Sequence, residues 1–262
     1  MTRLLTALVL VPVGIYTALF APWWLFLAVT VLIALQCFRE YAHITQSFAP
    51  LGYAAGVLLL IAPQREWTLL VILTCLGAMC VPLTAPDLER GVARAAALVM
   101  GILYVFGAWK SAILLHDSAA TPAALGAQTG HHWLLFALSV NWIGDTAAYY
   151  AGRRFGRHKL APVVSPGKTW EGAAASAASG IIFGAVYLTF AIPGTPVALA
   201  ALFGLVANAA GQLGDLAESA IKRGAGVKDS GGLLPGHGGA LDRVDSTMFS
   251  VPVVYALVTL LR

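Results

Sequence analysis

Charge is scarce in this chain. Only 11% of its 262 residues are Asp, Glu, Lys or Arg and 59% are hydrophobic, whereas roughly a quarter of a soluble domain is charged. That excludes a water-soluble globular protein and leaves a polytopic, all-α integral membrane protein. Long polar stretches are also missing, so a separate soluble domain has nowhere to sit and one membrane domain over residues 1–262 is expected. Cysteine is limited to Cys37, Cys75 and Cys80, all inside apolar runs and without CxxC or Cys/His spacing, which excludes zinc and a disulfide framework. No HExxH occurs, and SPGKT at Ser165–Thr169 lacks the P-loop glycine where Pro162 stands and the strand that should precede it. The first apolar run has no small-residue cleavage site at its end, so it is expected to be the first membrane helix. No nucleic-acid partner is expected.

Hydrophobic windows fill the chain instead. Windows near the length that crosses ~30 Å of hydrocarbon, about nine in all, fall at 4–20, 22–38, 51–63, 67–84, 95–115, 132–151, 171–191, 196–221 and 247–261. The first five, up to about residue 116, read as scaffold; the last four, from about residue 132, carry the polar loops. Basic residues are retained on the cytoplasmic side of membrane proteins. With the N-terminus inside, that side receives Arg3, Arg39, Arg90, Arg94, Arg153, Arg154, Arg157, Lys159, Lys168, Lys222, Arg223, Lys228 and Arg243, and the other side keeps only Arg65 and Arg262. The polar loops 152–170 and 222–243 then face the cytoplasm, where nucleotides and Mg²⁺ are available.

The densest polar segment is Ser219–Asp245. Irregular, glycine-rich backbone between two apolar helices is expected to line a wet cavity, because polar groups at membrane depth need partners. Asp215, Glu218 and Lys222 stand at i, i+3 and i+7 on one face of the eighth span. Asp242 and Asp245 flank Arg243 at the expected start of the ninth. Carboxylates crowded with lysines and arginines suit a Mg²⁺-bound polyphosphate, with hard oxygens for the ion and cations for the phosphates. The loop glycines would let N–H groups approach phosphate oxygens. A plain intramembrane ion-pair network is the competing structural reading. Asp145, roughly 9 Å from the cytoplasmic boundary at helical rise, needs a metal or a cation such as Arg153, Arg154, Lys159 or Lys168. Gly172, Ser176, Gly180 and Gly184 make a small-residue stripe that is either an internal contact or a dimer seam.

The spacing Ser219, Lys222-Arg223, Lys228-Asp229, Pro235, His237-Gly238-Gly239, Asp242-Arg243 and Asp245 closely resembles the signature of the phosphatidate cytidylyltransferase family, the CDP-diacylglycerol synthases. Ala240 departs from it, standing where a larger aliphatic residue is usual. Asp145–Gly172 resembles the family's second polar loop, while the N-terminal half matches by hydropathy alone. The resemblance implies transfer of the cytidylyl group of CTP to phosphatidate, giving CDP-diacylglycerol and pyrophosphate with Mg²⁺. It also implies a bacterial inner-membrane enzyme with a cytoplasmic site, and a homodimer is a possible assembly. On that basis Asp215, Asp242 and Asp245 are the expected metal ligands, with Glu218 holding Lys222. Lys222, Arg223, Lys228, Asp229, His237 and Arg243 are the expected catalytic and phosphate-binding groups. Ser219, Gly238, Gly239, Arg153, Lys159 and Lys168 are the expected substrate contacts, the last three toward the anionic lipid. Two alternatives stay open: a CTP-dependent enzyme using another lipid phosphate, and an ion-coupled transporter built on Asp145, Asp215 and Lys110. The absence of an internal repeat counts against the transporter.

Overall fold

The computed structural model describes residues 2–117, 129–233 and 238–260, with side chains from residue 11 onward except that of Thr129. It is an all-α membrane protein. Its helices are α1 (Thr2–Leu19), α2 (Trp23–Thr45), α3 (Ala49–Ile61), α4 (Trp67–Met79), α5 (Leu88–Gly101), α6 (Gly107–His116), α7 (Thr129–Phe155), α8 (Trp170–Ala191), α9 (Val197–Gly224), the single turn α10 (Leu241–Val244) and α11 (Thr247–Leu260). Among the described residues, five helical stretches are long and apolar enough to cross a membrane: Trp23–Thr45, Gln64–Thr84, Leu88–His116, Trp170–Ala191 and Val197–Gly224. The remaining expected windows also fall on helices.

Three local features differ from the sequence expectation. A five-residue π-helical stretch at Ile102–Phe106 joins α5 to α6, so the fifth window is one long rod with a local widening. The loop after α7 contains a small antiparallel hairpin, β1 (Lys159–Ala161) with β2 (Ser165–Thr169), which delivers the chain to α8. Thr169 ends the hairpin and caps α8, its hydroxyl accepting from Gly172 N at 3.1 Å. The ninth window begins at Thr247 as expected, but Asp242 and Asp245 lie ahead of it, Asp242 on the separate turn α10 and Asp245 just after that turn.

Two packed regions give the molecule its shape. On the N-terminal side Phe38, Tyr41 and Phe106 are fully buried between α2, α3 and the α5–α6 rod. On the C-terminal side α7, α8 and α9 form a tight layer, with Trp133, Phe136 and Phe203 at its heart. The small-residue stripe is internal. A Cβ on Gly204 of α9 would strike the Gly180 carbonyl of α8, and one on Gly184 would lie 2.5 Å from the Ala200 carbonyl. Close backbone approach lets short polar side chains join the helices: Asn208 meets Ser176 at 3.1 Å, Gln212 donates to Asn208 at 2.7 Å, and Asn141 donates to Ser250 at 2.7 Å. This polar ladder runs along α7–α9 toward the acidic residues.

Candidate active site

Two cavities meet at Asp145 of α7. One, of about 560 Å³, lies between α7, the hairpin, α8 and α9 and is lined by Arg153, Ser165, Lys168, Gln212 and Asp215 among others. The second, of about 410 Å³, runs between α1, α2, α6 and α7, walled by Val11, Phe26, Ile33, Trp109, Leu134 and Leu138, and its polar end is made by Asp242–Thr247. Asp145 lines both. Among the described residues it makes no hydrogen bond within 3.5 Å and no ion pair within 4.0 Å.

The acidic residues divide into two kinds. Asp242 is enclosed by donors: Lys222 Nζ at 2.6 Å, Ser230 N at 2.9 and 3.1 Å, and Gly239 N at 2.7 Å. Burial raises its pKa, but the Lys222 hydrogen bond and the N–H groups of Gly239 and Ser230 outweigh that and hold it below the usual carboxylate range. Lys222 is also ion-paired with Glu218, itself 1% exposed, which fits the expectation that Glu218 holds the lysine. Asp245, three residues on, has the opposite surroundings. Its carboxylate accepts from Ser246 N at 2.6 Å. Burial, then the Asp215 carboxylate, then Glu218 and Asp145 push its pKa well up. Asp215 is half-buried, paired with Lys168 at 2.6 Å, and accepts a long bond from Ser219 Oγ at 3.4 Å.

Of the expected metal ligands, Asp242 has surroundings unlike those of Asp215 and Asp245. Asp242 is already engaged by a lysine and two backbone N–H groups, so its lone pairs are committed. Among the described residues no group of three or more His, Cys, Asp or Glu is gathered closely enough to hold an ion. The carboxylates that do sense one another are Asp145, Asp215 and Asp245. They are hard oxygen donors of the kind a divalent cation such as Mg²⁺ takes, with Asp145 unpaired among the described residues, though they are not drawn together into a three-ligand site here. Four N–H groups of the glycine loop are already taken. Ser230 N, Gly239 N, Ala240 N and Leu241 N all donate to the carboxylates of Asp242 or Glu40, so these four groups do not face a phosphate.

The other expected residues are dispersed. Arg153 lines the polar cavity and reaches Tyr149 Oη at 3.4 Å. Lys159 is exposed on β1, away from the cavity lining, and Lys168 lies on β2 within it. Arg223 turns back to the Val227 carbonyl at 2.9 Å, Lys228 and Asp229 are exposed, and Arg243 lines the apolar cavity's polar end. Gly238 has a left-handed φ of 79°, which glycine adopts freely. Pro235 and His237 lie outside the described residues. Glu171 accepts from His158 Nδ1 at 2.7 Å and braces the hairpin. Lys110 does not join Asp145 and Asp215: it is buried and donates to the Leu60 and Ala62 carbonyls at 2.9 and 2.7 Å, satisfying the end of α3. His116, stacked on Phe26, and His131 stand apart from both cavities. Sequence reasoning missed Glu40, a lone acid in an apolar helix with no neighbouring motif to single it out.

Fold and site together define a helical membrane protein with a polar and an apolar chamber joined at Asp145. The chain belongs to the Cytidylyltransferase family, which it matches over residues 1–261. It is similar to the phosphatidate cytidylyltransferase of Pseudomonas aeruginosa, with 36% identity over 97% of this chain and 95% of that protein. It is also similar to those of Staphylococcus saprophyticus and Staphylococcus haemolyticus, at 47% and 48% identity over 128 residues, a stretch that spans about half (49%) of this chain and of each relative.

Proposed function

We propose that this protein transfers the cytidylyl group of CTP to phosphatidate, forming CDP-diacylglycerol and pyrophosphate. The observation that carries the reading is the meeting of a polar chamber and an apolar chamber at Asp145, in a chain of this family. A triphosphate suits the polar chamber, where Arg153 and Lys168 supply positive charge. A diacyl lipid suits the apolar one, with its phosphate at the end where Arg243 stands. The acceptor oxygen of phosphatidate is already anionic, so attack on the α-phosphorus needs alignment and charge neutralisation more than a strong base. Asp215 and Asp245, with Asp145, would hold Mg²⁺, which when bound supplies neutralisation of the triphosphate charge. Lys168 is released from Asp215 to phosphate as the nucleotide enters, and Lys222, held by Glu218 and Asp242, keeps the loop in place beside them. The basic residues clustered near the two polar loops support a cytoplasmic site in a bacterial inner membrane. The internal small-residue stripe offers no dimer seam, so a homodimer would use another face.

The test is to supply purified protein with CTP, dCTP or ATP, dioleoyl phosphatidate and Mg²⁺, and to follow pyrophosphate release. Release that requires both CTP and the lipid is expected. Release without the lipid, or none with it, contradicts the reading.

A further inference from the structure

We infer that Glu40, in the N-terminal half and outside the glycine-loop signature, is a positioning residue that holds the loop and, through it, Asp242 and Lys222. The inference rests on the cytidylyltransferase reading above, and deepens it. Glu40 lies on α2 and is 6% exposed. One carboxylate oxygen accepts from Gln36 Nε2 at 2.9 Å and Ala240 N at 3.0 Å; the other accepts from Ser230 Oγ and Leu241 N, both at 2.9 Å. Among the described residues no cation lies within 4.0 Å of it. An anion buried without a counterion is costly unless N–H and O–H donors replace its water, and here four do so.

Three of those donors belong to the loop that encloses Asp242. Ser230 is the link. Its hydroxyl donates to Glu40 while accepting from Asp242 N at 3.3 Å, and its N–H donates to the Asp242 carboxylate. Asp242 in turn takes Lys222, which pairs with Glu218 on α9. A shift at Glu40 therefore reaches the lysine through three hydrogen-bonded steps, Glu40 to Ser230, Ser230 to Asp242 and Asp242 to Lys222. The loop's glycines are shaped around the same carboxylate. A Cβ on Gly239 would collide with Glu40 Oε2 and Ser230 Oγ, and one on Gly231 would stand 3.0 Å from Glu40 Cδ. Two of the signature segment's glycines thus make room for an acid some two hundred residues earlier in the chain. The N-terminal helices take part in building the site.

The test compares Glu40→Gln and Ser230→Ala with the parent protein, reading amide exchange of the 225–241 region, folded fraction, and kinetics for CTP and phosphatidate. Glutamine keeps the size but turns one acceptor into a donor that faces other donors. Exchange at Ser230, Ala240 and Leu241 should accelerate at least about tenfold as the clamp opens. In the same variant kcat should fall about 10²-fold, with little change in either KM. Turnover per folded molecule equal to the parent's, or a loss that only tracks loss of folded protein, overturns the inference. Should Glu40→Gln fail to fold, Ser230→Ala decides: kcat reduced at unchanged folded fraction supports the link, and unchanged kcat sinks it. If the parent protein itself releases no pyrophosphate from CTP, the functional reading fails separately. The exchange data then still judge the clamp, accelerated exchange supporting it and unaltered exchange refuting it.

Discussion

Asp242 and Asp245 are separated by two residues, yet one is surrounded by donors and the other by carboxylates. The region around Asp242 is closed: lysine, backbone N–H groups and, through Ser230, Glu40 satisfy it from every side. The region around Asp245 is open in the electrostatic sense, since Asp215, Glu218 and Asp145 all oppose its charge. A satisfied carboxylate stabilises a fold, whereas mutually repelling carboxylates destabilise it until a cation arrives. The difference separates architecture from chemistry within one short segment.

The sharpest way to break this comparison is to neutralise each aspartate in turn. Asp245→Asn should lower turnover by about 10²–10³-fold, the usual loss when a group acting on transition-state charge is removed. Its metal-free thermal midpoint should hold or rise, because a repelled charge has gone. Asp242→Asn should behave in reverse, losing about 1–3 kcal/mol of stability because Lys222 and the N–H groups of Ser230 and Gly239 lose a charged acceptor, as read by unfolding in detergent. The sign with pH follows. The folded pKa of Asp242 is depressed, so its contribution is present above the ordinary carboxylate range and is lost as pH falls through the lowered value. The acid-side loss of stability should therefore be shallower in Asp242→Asn than in the parent protein.

Smaller effects sharpen the picture. Gly204→Val puts side-chain atoms against the Gly180 carbonyl and should cost about 1–3 kcal/mol by overpacking, displacing α8 from α9 without touching the carboxylates. Lys168→Met should raise KM for CTP with a stability change under about 1 kcal/mol, since the pair with Asp215 is only partly buried. A KM unchanged by this substitution would remove Lys168 from nucleotide binding.

Much of this was readable from sequence. The spans follow from apolar runs, and the Glu218–Lys222 pair follows from i, i+4 spacing on one helix. The glycine-loop signature pointed to the family that the comparison bears out. The hairpin was hidden because β2 reads SPGKT, with none of the β-branched or aromatic alternation that marks a strand except its final threonine. The break between α10 and α11 was hidden because the residues between them also suit a helix. Glu40 was hidden for a different reason: its partners are 190 to 201 residues away, and no local period encodes such a contact. That Gly231 and Gly239 make room for Glu40 was not readable, because glycine permits close approach without naming what approaches.

On the proposed reading, Asp215 and Asp245, with Asp145, hold the cation while Asp242 holds the loop. The most direct measurement is Mn²⁺ binding, followed by electron paramagnetic resonance, to purified parent protein, Asp245→Asn and folded Asp242→Asn. Binding should be lost in Asp245→Asn and kept in Asp242→Asn; loss in Asp242→Asn with retention in Asp245→Asn, or equal binding by all three, would contradict it.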